Sequence, residues 1–294
     1  MNKTTWGSIF VVVFCILLTQ GIAFAFRADN RFTLSYIALY AIGFQWIVFI
    51  HAGGFFGNER TEKYYDIVGS ITFITTTIIN SVFSKHYNMR TALLNTLVII
   101  WTVRLGAFLF IRIHNNNGVD ARFTELKQNN WQFLMTWTLQ GVWVFMTLLP
   151  LLIMGQKENS IKFNVLDYIG ISLFIVGFLF ETIADYQKFQ FRLVPENKDL
   201  FINSGLWKYS RHPNYFGEIL LWLSFSLIAF SGSKSYGVFI SPVFVALLLI
   251  FVSGIPLLEK RADAKFGDNE DYLIYKKNTP VLIPLIGCAG NSMF

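Results

Sequence analysis

The densest collection of side chains that could do chemistry lies in one polar segment, Gly205-Leu-Trp-Lys-Tyr-Ser-Arg-His-Pro-Asn-Tyr-Phe-Gly-Glu218. The segment contains two cations, a histidine, an asparagine and a carboxylate, and an apolar run of membrane-spanning character continues directly from it. Ionisable groups are costly at the edge of a bilayer and commonly serve a ligand there. The segment is therefore the first candidate for a binding site.

A proline gives this segment its expected local structure. Pro213 is tolerated in the first turn of a helix, so a helix that begins there carries Asn214 and Glu218 on one face. Arg211 and His212 then lie just before the positive end of the helix, where anionic phosphate binds well. We expect Arg211 to bind phosphates and Asn214 and Glu218 to hydrogen-bond an amide or a ribose. A lipid headgroup at Arg211 and a capping contact at His212 are the plainer alternatives.

A second group of ionisable side chains lies at the end of the preceding apolar run. Glu181 and Asp185 are one helical turn apart, and a continued helix places Arg192 on roughly the same face. Two neighbouring carboxylates repel each other unless cations or hydrogen-bond donors compensate their charge. Either Lys188 and Arg192 form a structural ion-pair cluster with the acids, or the acids bind a ligand, and the sequence leaves both interpretations open.

One cation interrupts an apolar run. Arg104 lies inside residues 91–113, where a charge is costly and usually faces a partner or a water-filled cavity. It would serve the packing of the helices if it paired with Glu181, Asp185 or Glu218. Contact with a bound ligand is the other interpretation.

The composition requires membrane helices to position these groups. Of the 294 residues, 54% are hydrophobic, 17% aromatic and only 14% charged, which is too apolar for an ordinary soluble protein. A helix needs about 20 residues to cross the hydrocarbon layer. The sequence therefore predicts an all-α polytopic membrane bundle of seven or eight helices. The apolar runs lie near 7–26, 33–56, 66–83, 91–113, 132–154, 165–186, 214–231 and 236–258.

The distribution of lysine and arginine predicts the orientation of this bundle. With the N-terminus inside, the inner loops carry more than twice as many basic residues as the outer loops. Residues 187–213 and the tail from Glu259 then face the cytoplasm. Residues 1–25 also resemble a signal peptide, but their apolar stretch is longer than a signal core of about 7–15 residues. We expect a retained helix, and cleavage would leave seven helices.

Other sequence features narrow the class of protein. We expect one domain over residues 1–294, with most of the recognisable chemistry in residues 160–285. The net charge of +6 comes from cations scattered between apolar runs, which argues against nucleic-acid binding. The two cysteines, Cys15 and Cys288, are too distant to indicate a disulfide framework, and the four histidines lack metal-ligand spacing. We expect no metal, and the oligomeric state is unknown.

The segment from Gly205 to Glu218 resembles the hallmark motif of the steroid 5-alpha-reductase C-terminal superfamily, particularly its microbial branch of uncharacterised membrane proteins. A looser Arg-His-Pro-x-Tyr version is similar to isoprenylcysteine carboxyl methyltransferases. The resemblance covers roughly residues 60 to 285, because weaker motifs follow in the expected order. They are Thr61-Glu-Lys-Tyr-Tyr-Asp66, Trp101 to Arg104, and Phe266-Gly followed by Tyr272 and Tyr275.

The resemblance implies a cofactor, NADPH, and a set of residues that contact it. The family has a polar residue, then Asp-Tyr, then Arg on the matching helix, and Glu181, Asp185, Tyr186 and Arg192 occupy this pattern here, with Glu181 in place of an amide. The other residues that the resemblance assigns to the cofactor are Arg104, Tyr209, Arg211, His212, Asn214, Tyr215, Glu218 and Glu259.

The implied activity is that of a reductase that delivers hydride to an activated C=C bond of a lipophilic, sterol- or isoprenoid-like substrate from the surrounding membrane lipid. Such a reaction also needs a proton donor, usually a tyrosine supported by a carboxylate. Trp101 stands where the family has this tyrosine, so Tyr64, Tyr65, Glu62 and Asp66 are the substitutes, and of these we take Tyr65 and Glu62 as the candidate pair. The start of a surface helix explains these two residues equally well.

Two other functions compete with the reductase. An S-adenosylmethionine-dependent membrane methyltransferase shares the Arg-His-Pro-x-Tyr pattern, but Arg104, Arg192 and Arg211 favour a ligand with several phosphates. A non-catalytic lipid-binding or transport protein would use the polar cluster as a gate, since buried charges also form relays in transporters.

Overall fold

The structure, a computed structural model, describes residues 3–27, 33–57, 59–84, 87–157 and 162–284. Cys288 lies outside the described residues. Across these ranges the chain is helical and contains no β-strand, which confirms the expected all-α class. The helices are α1 (Lys3–Ala25), α2 (Thr33–His51), α3 (Tyr65–Phe83), α4 (Met89–Asn115), α5 (Asn130–Gln156), α6 (Val165–Leu193), α7 (Pro213–Ser233), α8 (Ile240–Leu247), α9 (Ile255–Phe266) and α10 (Glu270–Asn278).

Within these ranges, eight helical spans are long and apolar enough to cross a membrane. Helices α1 to α7 each form one span, and the eighth, Tyr236–Phe266, contains α8, a π-helical turn at Leu248–Val252 and α9. The predicted polytopic bundle is thereby confirmed. Helix α1 has full membrane-spanning length, and its retention in the mature protein stays a prediction.

Asparagine side chains set several helix starts. Asn88 accepts hydrogen bonds from the backbone amides of Arg90 and Thr91 at 3.0 and 3.2 Å and so caps α4. Asn129 caps α5 in the same way, and Asn269 caps α10 by accepting from the amide of Tyr272. These caps satisfy amides that have no partner within the helix itself, and the asparagines therefore define where α4, α5 and α10 begin.

The chain packs as two compact units. The first contains α1 to α5 together with Ile228–Ser241, and the second contains Val165–Leu227 and the chain from Pro242. The expectation of a single domain stays a prediction. In the first unit α5 is the most buried span and packs against α1, α2 and α3 around an aromatic core that includes Phe133 and Trp137.

In the second unit α6 and α7 cross in direct backbone contact. A Cβ atom on Gly177 would lie 2.7 Å from the carbonyl oxygen of Gly217, and one on Gly217 would lie 2.6 Å from the amide nitrogen of Glu181. Only glycine permits this approach, because real Cβ contacts are not that short. The crossing brings the acidic end of α6 beside the first turns of α7.

The loop between α6 and α7 is held against α6 by the Gly-Leu-Trp part of the motif. The indole N–H of Trp207 donates to the carbonyl of Ala184 at 3.0 Å, and the amide of Leu206 donates to Oε1 of Gln187 at 2.9 Å. Gly205 has φ of +59°, and a Cβ there would lie 2.5 Å from the Gln187 side chain. The conspicuous Gly205 and Trp207 therefore shape the loop.

Candidate functional site

The predicted start of α7 is confirmed at Pro213. The amide of Phe216 donates to the carbonyl of His212 at 3.2 Å, so His212 precedes the first helical turn. The tail holds the turn in place, because the amide of Arg211 donates to the carbonyl of Pro280 at 2.9 Å and the hydroxyl of Ser210 donates to a carbonyl of the same tail segment. Hydrogen bonds to the first turn of α7 and to the backbone of the tail therefore hold residues 210–212 in place.

Glu259 of α9 joins two consecutive side chains of the motif. Its Oε1 lies 3.0 Å from Nε2 of His212, and its Oε2 accepts a short hydrogen bond from Nη1 of Arg211. Nζ of Lys276 lies 3.7 Å from the same Oε2. His212 is only 4% exposed, and its ring stacks on Tyr215 with 5.5 Å between the ring centroids. Two cations and a histidine thus surround one carboxylate.

Burial lowers the pKa of His212, because the imidazolium ion loses hydration inside the protein. The hydrogen bond to Glu259 and its negative charge act in the opposite direction, whereas Lys188 and Arg211 add to the lowering. Burial has the largest effect, so His212 is neutral at pH 7.

A third side chain links the motif to α6. Nδ2 of Asn214 donates to Oδ1 of Asp185 at 3.2 Å. Glu181, one turn earlier on α6, lies where the backbones of α6 and α7 touch, and both acids are buried. Glu218 follows Gly217 on α7 and is half-buried. The structure therefore brings the two predicted groups of ionisable residues together within the second unit.

Three buried polar atoms in this turn have no hydrogen-bond partner in the described part of the chain. They are Nε of Arg211, Nδ1 of His212 and Oδ1 of Asn214. An unsatisfied buried polar atom costs roughly 1–3 kcal/mol unless water or a ligand supplies its partner, so three such atoms within one turn make that turn a candidate ligand site. Donor and acceptor atoms are both present, so the turn suits a ligand whose groups both donate and accept hydrogen bonds.

The rest of the predicted set lies further out. Helix α6 continues to Leu193 as expected, but Arg192 and Tyr186 are exposed near its end, and Tyr209 is exposed in the loop. Arg104 belongs to the first unit, where its guanidinium lies 5.6 Å from the centroid of the Phe108 ring. The assignment of these four residues to a cofactor stays a prediction.

The candidate proton donors also lie in the first unit. The hydroxyl of Tyr65 donates to the carbonyl of Thr136 at 2.9 Å. The carboxylate of Glu62 is buried and pairs with Nζ of Lys127 at 2.8 Å. These contacts fasten the start of α3 to α5 and to the loop before it, and the catalytic role of the pair stays a prediction.

Sequence reasoning named Tyr272 and Tyr275 as motif residues but missed Lys276 of the tail, which lies near both Glu259 and Asp263. The hydroxyl of Tyr272 donates to Oδ1 of Asp263 at 2.9 Å, and Lys276 bonds the same oxygen. Burial raises the pKa values of Tyr272 and Tyr275, so both phenols stay protonated. The four-residue spacing of Tyr272 and Lys276 on α10 was a signal, but nothing in the sequence indicated their shared acidic partner.

The described residues include no group of three histidine, cysteine or acidic side chains that could hold a metal ion. Fold and site together define a polytopic membrane protein with a buried mixed-charge turn at the start of one helix. The chain belongs to the family described as Protein of unknown function (DUF1295), which matches residues 56–279. This family belongs to the steroid 5-alpha-reductase-like group.

Two relatives show how far the likeness extends. An uncharacterized protein of Schizosaccharomyces pombe is 26% identical over a 225-residue alignment, with coverage of 64% of this chain and 65% of the relative. A Delta(14)-sterol reductase of Methylotuvimicrobium alcaliphilum is 31% identical over a 128-residue alignment, with coverage of 37% of this chain and 28% of the reductase. The chain thus covers less than two thirds of each relative's length. No solved structure matches the chain significantly.

Proposed function

We propose that this chain is a membrane-embedded reductase that uses NADPH to reduce an activated C=C bond of a lipophilic, sterol- or isoprenoid-like substrate. The observation that carries the proposal is the run of unsatisfied buried atoms on Arg211, His212 and Asn214 at the start of α7. The similarity to a Delta(14)-sterol reductase supports the reaction class.

The residues at the start of α7 would bind the cofactor. Nε of Arg211 offers a hydrogen-bond donor, and Oδ1 of Asn214 offers an acceptor. Asp185 orients the Asn214 amide by accepting from its nitrogen, which leaves the oxygen free to receive a donor. Bound NADPH would supply a hydride, and the protein's part is to bind, orient and exclude water.

The reduction also requires a group that delivers a proton to the substrate. Tyr65 supported by Glu62 remains the proposed donor pair. Tyr65 already donates to a backbone carbonyl, so proton delivery requires it to exchange this partner for the substrate. The pair therefore needs a test that separates chemistry from stability.

The membrane helices suit a lipophilic substrate. Many aromatic and aliphatic side chains remain exposed on the described spans, including Phe10, Tyr36 and Phe251, as expected for surfaces that contact lipid. A sterol or isoprenoid would reach the protein from the bilayer, while the cofactor would enter from the cytoplasm according to the loop charges. Orientation and substrate class are both part of the proposal.

A thermal-shift measurement on detergent-purified protein tests the cofactor assignment. A ligand that binds only the folded state raises the unfolding temperature. We expect NADPH to raise it more than S-adenosylmethionine does, and NADH is measured beside them to compare the two nicotinamide cofactors. A rise with S-adenosylmethionine alone would favour a methyltransferase, and no rise with any of the three would favour a lipid-binding or transport protein.

A further inference from the structure

The carboxylate of Glu259 determines how His212 can meet a ligand. One oxygen of Glu259 faces Nε2 of His212 at 3.0 Å, and the other is bonded by Arg211 and approached by Lys276. A carboxylate placed between two cations holds no proton to donate, so it can only accept. The nitrogen of His212 that faces it must therefore carry the ring proton.

The opposite ring nitrogen then presents a lone pair. Burial keeps His212 neutral, and a neutral imidazole has one N–H and one acceptor nitrogen. Nδ1 of His212 is buried and has no hydrogen-bond partner among the residues that the structure describes. The side chain is 5% exposed, so bulk water does not readily satisfy this nitrogen.

We propose that Glu259 is a positioning residue that fixes His212 as the Nε2-protonated tautomer, and that Nδ1 therefore accepts a hydrogen bond from a hydroxyl or amide N–H of the ligand. With NADPH as the ligand, these donors are a ribose hydroxyl or the carboxamide, so this identification rests on the proposed function. Phosphate is disfavoured at Nδ1, because its oxygens would face the lone pair.

The same carboxylate also changes the role of Arg211. Arg211 is already bonded by Glu259 and is 12% exposed, so much of its charge is compensated before any ligand arrives. Nε of Arg211 remains an unsatisfied donor, and the next residue in the chain, His212, carries the unsatisfied acceptor Nδ1. A hydroxyl or a carboxamide can both donate and accept, whereas a phosphate oxygen can only accept. This complementarity replaces the phosphate interaction that the bare sequence indicates for this turn.

Nitrogen NMR on histidine-labelled protein in detergent tests the tautomer directly. Long-range proton–nitrogen correlations distinguish the two tautomers and the imidazolium ion, and His212→Gln identifies the resonances of His212 by their loss. We expect the Nε2-protonated tautomer at neutral pH in the ligand-free protein. A ring protonated at Nδ1, or on both nitrogens, would overturn the proposal.

The Glu259→Leu substitution tests the positioning role. We expect the single tautomer to become a mixture and the affinity for NADPH to fall on the order of ten-fold, as for the loss of one hydrogen bond. Asp263→Asn is the matched control, because Asp263 lies one turn further along α9 and also contacts Lys276. This control should keep the tautomer, and an unchanged tautomer in folded Glu259→Leu would contradict the proposal.

Adding ligands separates this inference from the proposed function. NADPH should shift the Nδ1 resonance of His212 as that nitrogen accepts a hydrogen bond, whereas sulfate, which has no O–H group at neutral pH and can only accept, should leave it unchanged. If NADPH raises the unfolding temperature without moving the Nδ1 resonance, the inference fails and the proposed function stands. If NADPH does not bind, the proposed function fails, and the tautomers of the wild type and of Glu259→Leu still decide the role of Glu259.

Discussion

The side chains of Arg211, His212 and Asn214 share one property within a single turn, since each is partly bonded and partly unsatisfied. Each has one bond to a carboxylate, from Glu259 or Asp185, and each retains a buried atom without a partner in the described chain. The carboxylates hold the three side chains in place. The unsatisfied atoms of these side chains remain available to bind a ligand.

The buried histidine predicts how stability depends on pH. Its pKa is lowered in the folded protein, so below about pH 6.5 the unfolded chain takes up a proton that the folded chain does not. The stability that neutral His212 contributes is therefore fully present above that pH, and it is lost as the pH falls towards the pKa of His212 in the folded protein. Thermal unfolding between pH 5 and 8 should show a larger loss on acidification for the wild type than for His212→Asn. Parallel curves for the two proteins would contradict this assignment.

At the scale of elements, the crossing of α6 and α7 positions the site. The backbones meet at Gly177 and Gly217, and the loop is fixed to α6 through Trp207. Local sequence predicted the start of α7, because Pro213 has a strong positional preference. It did not predict the crossing, because two glycines forty residues apart give no sign that they face each other.

The Gly217→Ala substitution tests this crossing. The added Cβ would lie 2.6 Å from the amide nitrogen of Glu181, so the helices must separate, at a cost of roughly 1–3 kcal/mol. We expect a lower unfolding temperature and weaker NADPH binding. Gly43→Ala is the control, because its Cβ would meet nothing within 4 Å. Equal unfolding temperatures for the two variants would argue against the close crossing.

The start of α3 carries the prediction about the proton donor. Tyr65→Phe removes the bond to the Thr136 carbonyl, which should cost about 1 kcal/mol of stability. If Tyr65 also delivers the proton, turnover of a reducible substrate should fall by about 10²–10⁴-fold with NADPH affinity unchanged. Turnover within a few-fold of the wild type would leave Tyr65 with a structural role alone.

At the scale of the whole molecule, the fold was far easier to predict than the site. Long apolar runs predict where helices cross a membrane, and each of the eight predicted runs forms a helical span in the structure. The acids Glu181 and Asp185 were predicted to be close to the motif by resemblance. The resemblance also named Glu259, but its salt bridge to Arg211 and the approach of Lys276 could not be predicted, because a contact between distant segments leaves no periodic signal in the sequence.

The orientation of the bundle has its own test. The surplus of basic residues places the loop that contains Lys198 and the tail that contains Lys277 in the cytoplasm. Single cysteines at these two exposed positions should react in intact cells only with a membrane-permeant reagent, in a background without Cys15 and Cys288. Labelling of either position by an impermeant reagent in intact cells would contradict the predicted orientation.

The central claim is that the start of α7 binds NADPH, and an equilibrium NADPH titration of purified protein tests it most directly. We expect Arg211→Ala to weaken binding by about 1.5–3 kcal/mol, because a charged hydrogen-bonding group is lost, and Arg211→Lys to restore only part of it. Lys208→Ala should bind as the wild type does, because Lys208 is an exposed cation of the same motif. Wild-type affinity in folded Arg211→Ala, or no binding by the wild type, would contradict the account.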